Sequence, residues 1–71
     1  MQRYKMKIYE FTKPELDYFR EQCNFTDEEL EYFNMKARDK SHVEIAMKMN
    51  VSKDKVAKLS KRVRNKMIRV I

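Results

Sequence analysis

The stretch HVEIAMKMNVSKDKVAKL, residues 42–59, decides the fold. Ile45, Ala46 and Met49 recur at the helical period and break off at Asn50, and Val56 and Leu59 resume that period after Ser52. Two helices that cross steeply through a short turn need a small side chain where their backbones come closest, and Ala46 lies midway along the first. Ile45, Met49, Val51, Val56 and Leu59 fall where apolar side chains must fill the angle between the two helices. The turn also needs a residue that tolerates positive φ. With no glycine in the chain, Asn50 is the next best choice. The hydroxyl of Ser52 then caps the second helix. Any two short amphipathic helices joined by a tight turn share part of this pattern. The small residue, the left-handed residue, the cap and the apolar positions together predict a helix-turn-helix.

Working outward, the same kind of signal places the remaining helices. Thr12 with Glu15, Thr26 with Glu29, and Ser41 with Glu44 have the spacing of a capping box. In it the hydroxyl accepts from the third helical N–H while the carboxylate reaches back to the cap N–H. Pro14 fits the first turn that follows Thr12, because the N–H it lacks would be unpaired there. These signals predict helices near 13–22, 27–39, 42–49 and 53–69. Leu16 and Phe19 mark the core face of the first, and Leu30, Phe33 and Ala37 that of the second. Val56, Leu59, Val63, Met67 and Val70 form one narrow stripe on the last. Residues 1–11 alternate loosely and carry no cap, which predicts an arm, with a short strand as the alternative form. The expected fold class is therefore all-α, a single four-helix domain over residues 1–71 with a short N-terminal arm.

Composition agrees and narrows the functional classes. The chain has no Gly, one Pro and 39% charged residues, which favours helix over tight hairpins. Cys23 stands alone, so neither an intrachain disulfide nor a metal-ligand spacing exists, and a buried thiol is expected. No metal and no cofactor are expected. The longest uninterrupted apolar run is Ile45-Ala46-Met47, which predicts a cytoplasmic protein with no membrane partner. One His, one Cys and no glycine-rich loop give no set of convergent nucleophile, base and oxyanion groups, so an enzyme is not expected.

Charge is distributed unevenly. Residues 1–33 carry five basic against eight acidic side chains and residues 34–71 carry twelve against three, so the halves differ as −3 against +9. All eight aromatic residues lie in the first half. The split predicts a scaffold half and a half that faces a polyanion. With the apolar stripe of the last helix turned inward, Asp54, Ala57, Lys58, Lys61, Arg62, Asn65 and Arg69 face outward. Such a helix fits the major groove of double-stranded DNA, where Lys and Arg donate to guanine and Asp accepts from cytosine. Lys55, Arg64 and Lys66 lie on its flanks, within reach of phosphates. Lys40, Ser41 and His42, with Asn34 and Lys36 nearby, gather at the start of the third helix as phosphate neighbours.

These residues also resemble a family. Glu44-Ile45-Ala46 through Val51-Ser52-Lys53-Asp54-Lys55-Val56 to Leu59 is similar to the C-terminal promoter-reading domain of bacterial sigma factors and to the related LuxR-type DNA-binding domain. Phe25-Thr26-Asp27-Glu28-Glu29 is similar to the opening of the scaffold helix in both groups. The resemblance spans residues 25–67, about 60% of the chain. It implies that the first turns of the last helix read bases, with Lys53, Asp54 and Lys58 at positions similar to the family's base-contacting residues. Ala57 departs from the family's Arg, so docking mode carries over and base preference does not. The parts of a sigma factor that melt promoters and bind the polymerase core have no counterpart in the stretch compared.

Sequence-specific DNA binding by a small transcriptional regulator is thus the expected function. Two other readings stay open: a protein-interaction module acting on RNA polymerase or another transcription protein, and DNA recognition for a mobile element. Ile68, Val70 and Ile71 close together at the end of the last helix suggest a homodimer contact.

Overall fold

The computed structural model describes residues 8–71. Four α-helices follow a single 3₁₀ turn at Ile8–Glu10: α1 (Lys13–Gln22), α2 (Asp27–Ala37), α3 (His42–Met49) and α4 (Lys53–Val70). Among the described residues there is no strand, and the fold is the all-α four-helix domain that the caps and periodicity predict. The 3₁₀ turn replaces the arm or strand expected over its residues. It packs on α2 with Ile8 buried, while the rest of that expectation, residues 1–7, lies outside the described residues.

Each helix begins as its sequence demands. Thr12, Thr26 and Ser41 all accept from the backbone N–H three residues on, and Glu15, Glu29 and Glu44 return the bond to the cap N–H. Ser52 accepts from the Lys55 N–H at 3.1 Å. Caps of this kind stabilise by about 1 kcal/mol each, a large share for a domain that buries only about 60% of its unfolded surface.

The helix ends use left-handed residues without glycine. Asn24, Asp39 and Asn50 have φ of 54°, 62° and 58°. At Asp39 the Lys40 N–H reaches back to the Met35 carbonyl at 3.2 Å and the Asp39 N–H to Lys36 at 2.9 Å. That pair of bonds stops α2 at Ala37, two residues short of the predicted end, because a left-handed residue cannot extend a right-handed helix. At Asn50 the equivalent bonds run from Val51 to Ala46 at 3.0 Å and from Asn50 to Met47 at 3.2 Å.

The core is centred on Phe33, Ile45, Val56, Leu59, Val63 and Met67, all essentially inaccessible. Phe19 and Phe25 pack on Phe33 with centroids 6.4 and 5.0 Å away, and Phe11 packs on Phe19 at 5.2 Å. The aromatic first half thus forms a scaffold against which α4 lies. The inward face of α2 differs from the predicted one: Glu29, Tyr32 and Phe33 are buried, whereas Leu30, Ala37 and also Leu16 of α1 are only half-buried. Glu29 is tolerated there because its carboxylate accepts from the Thr26 N–H at 3.0 Å and from the Lys66 ammonium of α4 at 2.5 Å. Cys23 is buried, as expected, and burial pushes its thiol up, with nearby Lys66 opposing.

Candidate nucleic-acid interface

The α3–turn–α4 unit is built by three residues, Asn50-Val51-Ser52, between Met49 and Lys53. Asn50 in the left-handed region reverses the chain, Val51 is half-buried against the core, and Ser52 opens α4. Ala46 is 6% exposed where α3 packs on α4, and Ile45, Val56 and Leu59 fill the angle. Asn50, Ser52, Ala46, Ile45, Val56 and Leu59 take the left-handed, capping and buried states expected of them, whereas Met49 and Val51 are only half-buried.

On α4 the inward set is Val56, Leu59, Ser60, Val63 and Met67, with Val70 half-buried. Asp54, Ala57, Lys58, Lys61, Arg62, Asn65 and Arg69 are all exposed, as is Lys53 at the first turn. From Asp54 to Arg69 this face runs about 22 Å at the helical rise of 1.5 Å per residue. None of Lys53, Lys58, Lys61, Arg62 or Arg69 has a carboxylate within salt-bridge distance among the described residues. Their charge is therefore directed at solvent.

The flanking cations behave differently from one another. Lys55 pairs with Glu28 of α2 at 3.2 Å, a half-exposed contact that solvent and salt can loosen. Lys66 is drawn inward: besides Glu29 it donates to the Asn24 carbonyl at 3.3 Å, so it ties α4 to α2. Arg64 donates to Ser60 Oγ at 3.3 Å. Of the expected phosphate neighbours, Ser41 is engaged as a cap, the Lys40 carbonyl accepts from the Lys36 ammonium at 3.3 Å, and His42 is exposed. Asn34 accepts from Arg20 at 2.9 Å on the side of α1, apart from this cluster.

Titration properties follow from these contacts. Burial pushes Glu29 up, but the hydrogen bond and charge of Lys66, with the Thr26 N–H and the more distant Arg62, outweigh it and hold the carboxyl below its ordinary value. Although His42 reaches solvent, partial desolvation of its ring, then the charges of Lys36 and Arg64, hold it below its ordinary value. The Ser41 N–H holds Glu44 below the usual range.

Tyr32 and Ser60 are polar residues of this region that helical periodicity did not single out. The Tyr32 hydroxyl lies 3.0 Å from His42 Nε2, joining α2 to the start of α3. Tyr32 follows Glu29 by three residues, and that spacing was the signal for a shared inward face.

No family model, curated protein or solved structure matches this chain. Among the described residues no helix is long and apolar enough to cross a membrane, and no group of three or more His, Cys, Asp or Glu side chains is placed to hold a metal ion.

Proposed function

We propose that this chain binds double-stranded DNA by laying the exposed face of α4 in the major groove, in the manner of a small transcriptional regulator. The observation that carries the reading is the unpaired cationic face of Lys53, Lys58, Lys61, Arg62 and Arg69 on the second helix of a two-helix unit joined at a left-handed Asn50. Lys58, Lys61 and Asp54 supply donors and an acceptor to base edges from the first turns. Arg62, Asn65 and Arg69 continue the contact, and Lys55 and Arg64 reach phosphates from the flanks. The resemblance read in residues 25–67 to sigma-factor promoter-reading domains, an expectation from the sequence alone, points to the same docking mode. Titration with random-sequence duplex at low and high salt tests it. Affinity that falls steeply with salt supports the reading, since each neutralised phosphate releases counterion. Affinity for duplex too weak to measure even at low salt would end it.

A second reading, a contact with RNA polymerase, another transcription protein or a second copy of this chain, is favoured by one feature. Phe11, Pro14, Tyr18, Val70 and Ile71 line an open, largely apolar groove of about 500 Å³ where α1 meets the end of α4. Ile71 in its lining is 80% exposed, and Ile68 on the last turn of α4 is 48% exposed. A surface of this kind is suited to a protein partner.

A further inference from the structure

Between α2, α3 and α4 lies a cavity of about 170 Å³ with polar groups at its rim. Tyr32 and Lys36 line it from α2, His42 from α3, and Ser60 and Arg64 from α4, with Ile8 of the 3₁₀ turn, Val63 and Met67 as its apolar lining. At about 30 Å³ of liquid volume per water, the space admits a polyatomic ligand.

The cavity's charge is one-sided. Lys36 and Arg64 have no carboxylate within salt-bridge distance among the described residues, and residues 1–7 contain no Asp or Glu. Glu44, on the same helix as His42, is held by the Ser41 N–H at 3.0 Å. Among the described residues the Arg64 guanidinium, with five N–H donors, makes one hydrogen bond, to Ser60. The Lys36 ammonium has three donors and gives one to the Lys40 carbonyl. Lys36 is half-buried and Arg64 exposed, and both border the cavity, so an anion held there would be attracted by two positive charges at once.

We propose that this cavity binds a tetrahedral oxyanion of the phosphate class, with Arg64 and Lys36 as charged donors and the Tyr32 and Ser60 hydroxyls as neutral ones. Guanidinium and ammonium donors form short charge-assisted bonds to phosphate oxygens, and the hydroxyls can turn their hydrogens toward the same oxygens. The phosphate belongs either to a free phosphate monoester or to a nucleic-acid backbone, and the recognition chemistry is common to both. The site shares Arg64 with the flank of α4 but none of the outward-facing residues Asp54, Lys58, Lys61, Arg62 and Arg69, so it does not depend on base reading by that face.

His42 reports occupancy directly. Its protonation is opposed by Lys36 and Arg64, and a phosphate between them reverses the local field. The experiment follows the His42 imidazole resonances of the full chain against pH, in inorganic phosphate and in chloride of equal ionic strength. Phosphate is expected to raise the His42 pKa and to move the Tyr32, Ser60 and Arg64 signals saturably. R64Q and K36M, each losing a charged donor, are expected to weaken phosphate binding about tenfold. K48A, which removes an exposed cation elsewhere on α3, is expected to leave it unchanged. Identical His42 titration in phosphate and chloride overturns the proposal, and so does a K48A effect as large as that of R64Q. A short duplex then identifies the source of the phosphate: movement of the same signals, with competition by inorganic phosphate, assigns the backbone. Signals that answer to inorganic phosphate alone assign a free phosphate ester. The phosphate arm contains no DNA, so its outcome is separate from that of the DNA-binding proposal.

Discussion

Lys66→Met is expected to be among the most damaging single changes on α4, although it replaces one flexible chain by another of similar length. The Glu29 carboxylate it abandons is 3% exposed and would keep only the Thr26 N–H. Breaking a fully buried pair from one side costs about 3–5 kcal/mol. Water reaches this pair, since the Lys66 side chain is 28% exposed, which lowers the expected cost to about 2–3 kcal/mol. At about 4–8 °C per kcal/mol for a domain of this size, the melting temperature falls by roughly 10–20 °C. Glu29→Gln retains an oxygen for the Thr26 N–H and leaves Lys66 with the Asn24 carbonyl and water, so about 1 kcal/mol is lost. The double variant is therefore expected to be more stable than Lys66→Met alone. Acid separates the variants further. In the wild type Glu29 is held below its ordinary value of 4.5, so the native state binds fewer protons than the unfolded one there. Its contribution is complete above that value and is lost as pH falls through the folded one. In Lys66→Met only the Thr26 N–H and Arg62 still oppose burial, so the carboxyl rises relative to wild type and the deficit narrows on acidification. Thermal and denaturant melts of the four proteins at neutral and acid pH test this. Lys66→Met melting no lower than Glu29→Gln, or a deficit that does not change with pH, would refute the reasoning.

Three further expectations concern the turn, the histidine and assembly. Because Asn50 has φ 58° and ψ 47°, Asn50→Gly is expected to be neutral or slightly stabilising and Asn50→Val to cost about 1–2 kcal/mol through Cβ strain, read by thermal melts. His42, lowered by burial, Lys36 and Arg64, binds fewer protons folded than unfolded just below its ordinary value of 6.5. It contributes stability above that pH that is lost as pH falls through its folded value, and His42→Gln is expected to remove that slope from melts in chloride. If the groove at Tyr18, Val70 and Ile71 seats a second copy, sedimentation at high micromolar concentration will show a dimer, and deletion of residues 68–71 will abolish it.

Helix starts were readable because each depends on residues within four positions of one another. The Thr12, Thr26 and Ser41 boxes and the Ser52 cap need no tertiary partner, and all form. The end of α2 was less legible: Asp39 is a common polar residue, and only its bonds to Met35 and Lys36 show that it closes the helix. The outward face of α4 followed from the period of Val56, Leu59, Val63 and Met67. The fate of the cations beside it did not. Lys66 and Arg64 look alike in sequence, yet one meets Glu29, 37 positions earlier, and the other turns toward Ser60 and the cavity. The spacing of Glu29 and Tyr32 puts them on one side of α2, but that this side is the buried one depends on partners from other helices, Lys66 and His42, which the spacing alone does not name.

The central claim, that the outward face of α4 reads DNA, is tested most directly by Lys58→Ala with Lys61→Ala. Both side chains are exposed and make no contact in the core, so circular dichroism and melting are expected to be unchanged. Affinity is measured for a site selected from a random duplex library and for a scrambled site, each at two salt concentrations. The account predicts a loss of about 1–3 kcal/mol per base contact on the selected site, with preference over the scrambled site flattened. A folded double variant that keeps full preference for its site would contradict it and place the function on another surface.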